Sequence, residues 1–170
     1  MGTYYHYVNL TKRERFSIAT LGGGMKHGAI GRTPATRVFE LLLTRRKQPD
    51  RPPESGSLSV GHWAGDQIAI LGDDSEPAWE KIKEEFADIA ANAIMLFKAI
   101  EGFEALGEAA ASSDELFMEV CHLIVTRQAA GLMEPMQARF GSDFLSHYGK
   151  LCTERKWFVP KDLVDLKHNG

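Results

Sequence analysis

The stretch that most constrains the fold is residues 58–74, which read LSVGHWAGDQIAILGDD. Two β-prone apolar runs flank the small step Ala64-Gly65-Asp66, a pattern typical of two strands joined by a tight turn. We predict strands at Leu58–Trp63 and Gln67–Leu71, with Gly65 free to adopt a positive φ. Strand alternation then predicts that Ile68 and Ile70 face the core.

The same stretch predicts the start of the longest helix. Asp73 and Asp74 are expected to cap it, because carboxylate oxygens accept hydrogen bonds from the free N–H groups of a helix start. Apolar residues then recur at steps of three and four as far as Glu101. This spacing predicts one amphipathic helix over Pro77–Glu101.

The N-terminal residues complete the predicted sheet. Alternating aromatic and β-branched residues indicate strands at Thr3–Asn9 and Arg15–Thr20, joined as an antiparallel hairpin. Thr33 followed by Pro34 predicts the start of a helix that ends near Lys47. The predicted fold class is α+β. It consists of a small antiparallel sheet of about four strands, packed on one face by the two helices, in a core domain at 1–101. A helical C-terminal part follows at 102–170.

The charge distribution allows two interpretations. Residues 1–52 carry ten Lys and Arg against three Asp and Glu, a charge of +7, which leaves −10 for the rest of a chain whose net charge is −3. Such a dipole could steer an anionic partner to the N-terminal part. Alternatively, the two parts neutralise each other by packing together. No apolar run is long enough to span a membrane, and the two cysteines make no disulfide framework, so we expect a cytoplasmic protein.

Six basic residues are the candidates for binding an anion or a nucleic acid. The glycine-rich stretch 21–33 fails the P-loop pattern, but its backbone could form a looser anion-binding nest. Elsewhere, the densest cationic cluster could contact phosphates. The six candidates are Lys26 and Arg32 in the glycine-rich stretch, with Arg45, Arg46, Lys47 and Arg51 in the cluster.

The pattern of titratable residues favours no catalytic site. The six histidines and two cysteines show no spacing typical of metal ligands, so neither a metal nor a cofactor is predicted. His62, Asp66, Asp73 and Asp74 are the best acid–base candidates because they lie near the predicted hairpin. Each also has a structural interpretation: Asp66 as a turn residue, Asp73 and Asp74 as helix caps, and His62 as a strand residue beside Trp63.

Two motifs in this order resemble a family of proteins. Residues 4–14 contain YYxxVNLxKxE, and residues 63–73 contain WAGDxIxIxGD, with Trp63, Gly65, Asp66 and Asp73 among its letters. The pair is similar to a set of uncharacterised bacterial and phage-encoded proteins and covers about the first hundred residues. The resemblance implies a bacterial or phage setting and no catalytic residues. Ala29 and Ile30 depart from the pattern, because members of the set carry an acidic residue there.

We therefore expect a non-enzymatic binding protein that acts through contacts with a protein partner. It would function as a homodimer, and in a phage or mobile-element setting it would inhibit or assist a bacterial host system. The first alternative is a nucleic-acid or nucleotide binder that uses the basic N-terminal part. The second alternative is a small hydrolase that uses His62 and the nearby aspartates.

Overall fold

The structure is a computed structural model that describes residues 3–22, 33–45 and 58–156. The chain divides into two compact units, Met1–Gly102 and Phe103–Gly170. The first unit holds four strands and two helices: β1 (Tyr5–Asn9), β2 (Glu14–Ser17), α1 (Pro34–Leu43), β3 (Ile68–Gly72), α2 (Ala78–Glu85) and β4 (Ala87–Asp88). Helix α3 (Ala90–Ala111) begins there and is interrupted at Gly102, whose φ is 88°. The second unit holds α4 (Asp114–Val125), α5 (Met133–Phe140) and α6 (Phe144–Glu154). The predicted α+β class with a helical C-terminal part is confirmed.

The four strands form one sheet in the order β3-β1-β2-β4. Strand β1 pairs antiparallel with both neighbours, so that Tyr7 lies between Phe16 of β2 and Ile70 of β3. Strand β4 instead runs parallel to β2. The expected number of strands is confirmed, but the sheet is mixed. The reason is that α2 carries the chain back to the end where β3 began, so β4 repeats the direction of β3.

Helices cover both faces of this sheet. Neighbouring residues on a strand point to opposite faces. In β1, the neighbours His6 and Tyr7 both carry aromatic rings. Tyr7 stacks on Phe39 of α1 with ring centroids 4.1 Å apart, and the fully buried Trp63 packs on the same side. His6 lies against Trp79 of α2 on the other side, with centroids 4.3 Å apart. The prediction that both helices pack on one face is therefore wrong.

Turns replace the predicted strand at Leu58–Trp63, and the predicted hairpin is wrong. Residues 60–65 form consecutive turns. The N–H groups of Gly61 and Trp63 donate to the carbonyls of Leu41 and Leu42 at 2.8 and 2.9 Å. The last carbonyls of a helix need donors from elsewhere, and here this turn supplies them. Helix α1 accordingly ends at Leu43, before the predicted Lys47.

A short strand divides the predicted helix over Pro77–Glu101. Phe86, at the end of α2, has extended φ and ψ of −104° and 134°. The N–H groups of Ala87 and Ile89 then donate to the carbonyls of Arg13 and Arg15, both at 2.9 Å. Hydrogen bonds to the sheet thus replace helical ones. The apolar spacing continues through the break, which is why the pattern resembles a single helix.

The second unit agrees closely with its sequence patterns. The Ser113 side chain accepts a hydrogen bond from the Leu116 N–H, as the predicted helix start requires. Cys121 and Cys152 are free and fully buried between helices, as expected for small apolar thiols. Burial raises the pKa of the Cys121 thiol well above its usual range. None of the helices in the described ranges is long and apolar enough to cross a membrane.

Candidate functional site

The polar residues of the two sequence motifs lie around strand β3. One group of them surrounds its first residue. Asn9 is fully buried, and its Nδ2 donates to the Asp66 carboxylate at 2.8 Å. The Lys12 ammonium contacts the same carboxylate. Hydrogen bonds from Lys12 and Asn9 hold the pKa of Asp66 below its usual range. Next to them, the Leu10 N–H donates to the Gln67 carbonyl at 2.9 Å, so this network fixes the start of β3 against the end of β1.

Glu14 joins the 60–65 turn to β2. The indole Nε1 of Trp63 donates to the Glu14 carboxylate at 2.6 Å. His62 Nε2 lies 3.0 and 3.1 Å from its two oxygens and acts as the donor, because an ionised carboxylate only accepts. The side chains of His62 and Glu14 remain 28% and 18% exposed. Chemically, this pair can orient an imidazole.

The other end of β3 is held by the aspartates that were predicted to cap a helix. The Tyr4 N–H donates to the Asp73 carboxylate at 2.9 Å, and the Asp73 N–H donates to the Tyr4 carbonyl at 2.9 Å. The Thr3 hydroxyl donates to the Asp74 carboxylate. Helix α2 begins only at Ala78 and has no side-chain cap. The capping prediction is wrong because these carboxylates bond the start of β1 instead.

The structure does not bring His62 together with all of the predicted aspartates. Asp66 lies at the Asn9 end of β1, close enough to His62 to interact electrostatically with it. Asp73 lies at the Tyr4 end, five residues away along a strand, or about 17 Å. The actual partner of His62 is Glu14, which sequence reasoning missed. One sequence feature could have pointed to it: Glu14 belongs to the first of the two paired motifs and Trp63, next to His62, belongs to the second.

The outer side of β3, which we call the β3 edge, presents backbone groups that no strand in the described part of the chain pairs with. Bonds between Leu10 and Gln67 and between Tyr4 and Asp73 set the phase of the antiparallel pairing with β1. In that phase, alternate residues of β3 bond to β1, and the N–H and C=O groups of Ile68 and Ile70 point the other way. Among the described residues, no strand pairs with this side of β3.

The side chains of β3 add an apolar surface to that edge. Its sequence is IAILG, which contains no charge and no proline. Ile70 is 42% exposed, so the prediction that it faces the core is wrong. It shares a face with Tyr7, but α1 covers that face through Phe39, which stacks over Tyr7 on the neighbouring strand. Sequence reasoning missed Ile70 as a surface residue because strand alternation does not show which strand lies at an edge.

Only one of the six predicted anion-binding residues is described by the structure. Arg45 is exposed, and its guanidinium lies beside Gly65, whose φ is 91° as expected for this turn. The other five lie outside the described residues: Lys26, Arg32, Arg46, Lys47 and Arg51.

Several basic residues of the N-terminal part form ion pairs with acidic residues that follow later in the first unit. Arg15 bonds Asp88 at 3.0 Å, and Arg37 bonds Glu101 at 3.0 Å. Two further pairs have the same character: Lys12 with Asp66, and Arg13 with Glu85. These pairs favour the interpretation that the basic and acidic parts neutralise each other.

Nothing in the described ranges resembles a metal centre, since no three His, Cys, Asp or Glu side chains are grouped to hold an ion. Comparisons with protein-family models, with curated proteins and with solved structures found no match. The resemblance to the bacterial and phage set therefore stays a prediction. The geometry around β3 is what a functional argument has to use.

Proposed function

We propose that the protein is a non-enzymatic binding protein that holds an extended segment of a protein partner along the β3 edge. The observation that carries this proposal is an uncharged strand with outward backbone groups and an exposed Ile70. Extended segments bind such strands through main-chain hydrogen bonds, and pockets for alternate side chains give specificity. Sheet edges without this role are commonly protected by charges, proline or a bulge.

The motif residues support a binding role more than a chemical one. Asn9, Glu14, Asp66 and Asp73 each bond another group of the same unit. Those bonds hold both ends of β3 and the turn before it. The polar pattern thus positions a strand, and no other strand of the described ranges pairs with its outer side.

A selection with short random peptides displayed on phage tests this proposal. Peptides that bind the wild-type protein are synthesised, labelled and titrated by fluorescence anisotropy. Ile70→Lys should weaken the binding of these peptides at least ~10-fold, because a buried lysine next to the added strand loses hydration. The matched control is Ile100→Lys, since Ile100 is equally exposed, at 43%, but lies on α3.

Two results would contradict strand addition at β3. One is that no peptide is enriched; the other is that both lysine variants weaken binding equally. Ile70→Pro provides a check on main-chain pairing, because it removes an outward N–H while leaving the bonds to β1 in place. Ile70→Pro should weaken the binding of the selected peptides as Ile70→Lys does.

The setting of this activity is part of the proposal and comes from the motif resemblance alone. A bacterial or phage setting makes a bacterial host protein the partner, with this chain as its inhibitor or accessory. Direct binding of nucleic acid is less well supported, because four N-terminal cations are occupied in ion pairs.

Hydrolysis is a second candidate because of the Glu14–His62 pair. A carboxylate-oriented, partly exposed imidazole is a frequent general base. Chromogenic esters and phosphate esters test it directly. Turnover by the wild-type protein that is lost in His62→Asn would support a hydrolase, whereas turnover that persists in this variant would exclude this site as its source.

A further inference from the structure

We infer that the β3 edge pairs with β3 of a second copy of this chain, in an antiparallel arrangement centred on Ile70. The inference rests on the proposed function, because both use the same edge. It adds the identity of one occupant and the register in which it binds. It also implies that other partners compete with self-association.

The backbone phase of β3 is self-complementary in this register. Residues with outward N–H and C=O groups are Ile68, Ile70 and Gly72, because they alternate with the residues that bond to β1. Antiparallel pairing about Ile70 places it opposite itself and places Ile68 opposite Gly72. Every outward group then faces an outward group of the other copy. The Gly72 carbonyl also accepts from the Ser75 N–H at 3.1 Å, so among the described residues this competing bond lies at the end of the paired segment and not at its centre.

Registers slipped by one residue lack this match, and registers slipped by two keep it but pair fewer of the outward residues. A slip by one residue sets outward groups against Ala69 or Leu71, whose backbone groups are already directed to β1. The slip also moves side chains to the opposite face of the sheet. In the register centred on Ile70, the two exposed Ile70 side chains are direct neighbours on one face and cover each other.

The charges around β3 also fit a second copy. The strand itself has none, so self-pairing sets no like charges opposite each other within it. Beyond its ends, the register brings Asp73 of one copy towards Gln67 of the other. It also brings Asp74 towards Asp66, whose carboxylate is already balanced by Lys12.

Two single-cysteine additions test both the pairing and its register. Ile70→Cys and Ile68→Cys are made in the full chain, where Cys121 and Cys152 are buried. After mild copper–phenanthroline oxidation, Ile70→Cys should form a disulfide-linked dimer on a non-reducing gel. Residues opposite each other in a bonded pair have Cα atoms about 5.5 Å apart, which suits a disulfide. Residue 68 lies about 13 Å from its equivalent, beyond bridging distance, so Ile68→Cys should stay unlinked.

Analytical ultracentrifugation provides the second readout. The wild-type protein should sediment as a dimer that dissociates on dilution, and Ile70→Lys should raise the dimer dissociation constant at least ~10-fold while Ile100→Lys leaves it unchanged. A wild-type monomer at all concentrations, or equal cross-linking of both cysteine variants, would overturn the inference. Peptide binding that persists in that case leaves the proposed function standing, so the two failures are distinguishable.

Discussion

Strands β3 and β4 lie at opposite edges of one sheet and differ in length, charge and cover. β4 has two residues, Ala87 and Asp88, and its carboxylate is bonded to Arg15 of β2 at 3.0 Å. β3 has five residues, carries no charge and exposes Ile70. A short charged edge resists pairing with another chain, whereas a longer apolar edge favours it. The contrast makes the β3 side, and not the β4 side, the one suited to pairing with another chain.

The two edges are also held in place by different forces. Surface ion pairs accompany the backbone bonds of β4 to β2, through Arg15 with Asp88 and Arg13 with Glu85. A part-buried hydrogen bond from Asn9 to Asp66 holds the start of β3, and an exposed bond from Tyr4 to Asp73 holds its end. The turn before β3 is joined to β2 through the buried Trp63. Exposed ion pairs contribute little to stability, while buried bonds and aromatic packing contribute much more. The following variants measure that difference.

Trp63→Ala should have the largest effect. The indole is fully buried and bonds Glu14, so its loss creates a cavity and removes one of the two donors to that carboxylate. We expect a loss of about 3–5 kcal/mol in the free energy of unfolding, measured by urea denaturation. Trp79→Ala, on the partly exposed indole of α2 that packs on His6 and Arg15, is the control and should cost less. Equal losses would mean that the turn before β3 has no special role.

His6→Phe should make the free energy of unfolding less sensitive to acid pH. Burial, and then the Arg15 cation, lower the pKa of His6 from 6.5 to about 4, so the folded state disfavours its proton. The stability from this group is present above pH 6.5 and is lost as pH falls towards 4. After a discount for partial exposure, the loss is about 2 kcal/mol.

The measurement is urea denaturation of wild type and His6→Phe at pH 7, 5 and 4. The wild-type protein should lose stability relative to His6→Phe as pH falls, since phenylalanine keeps the contact with Trp79 but does not titrate. A pH-independent difference would show that His6 is as easily protonated in the folded state as in the unfolded state.

Asp66→Asn should have a smaller effect, which is specific to the start of β3. It removes the charge that Lys12 balances and weakens the bond from Asn9, at a cost of about 1 kcal/mol. Because the pKa of Asp66 is lowered in the folded state, its contribution is present above the usual carboxyl pKa and is lost as pH falls below it. Hydrogen exchange should show faster opening of the Ala69 N–H. Unchanged exchange there would contradict an anchoring role.

Asp88→Asn should have the smallest effect. Its side chain is half exposed, so the pair with Arg15 is screened by solvent. We expect a change of less than ~0.5 kcal/mol in the free energy of unfolding, with no change in sedimentation. A variant that gains or loses self-association would show that β4 also takes part, and the contrast between the edges would then fail.

Local patterns in the sequence were sufficient for elements that depend on neighbouring residues. The Thr33-Pro34 start of α1, the β1–β2 hairpin, the Ser113 cap and helix α6 all follow from capping, turn and spacing rules. In each case the deciding bonds lie within a few residues of the chain. The fold class followed from the same signals.

The features around β3 depend on distant residues, and the sequence did not reveal them. The turn at 60–65 forms because α1 needs donors for its last carbonyls, and the break after Phe86 forms because β2 offers carbonyls at its edge. Asp73 could cap a helix or bond the Tyr4 N–H, and local chemistry does not decide between them. Exposure of Ile70 depends on which strand the tertiary fold leaves outermost.

The bond between the Thr3 hydroxyl and Asp74 has a practical consequence for handling the protein. It places the start of the described chain beside the last residues of β3. A purification tag joined ahead of Thr3 would therefore be attached within a few residues of the β3 edge. A flexible, apolar tag could lie along that strand itself. Association measured with such a tag in place would report on the tag as well as on the protein, so cleaved material is the appropriate sample.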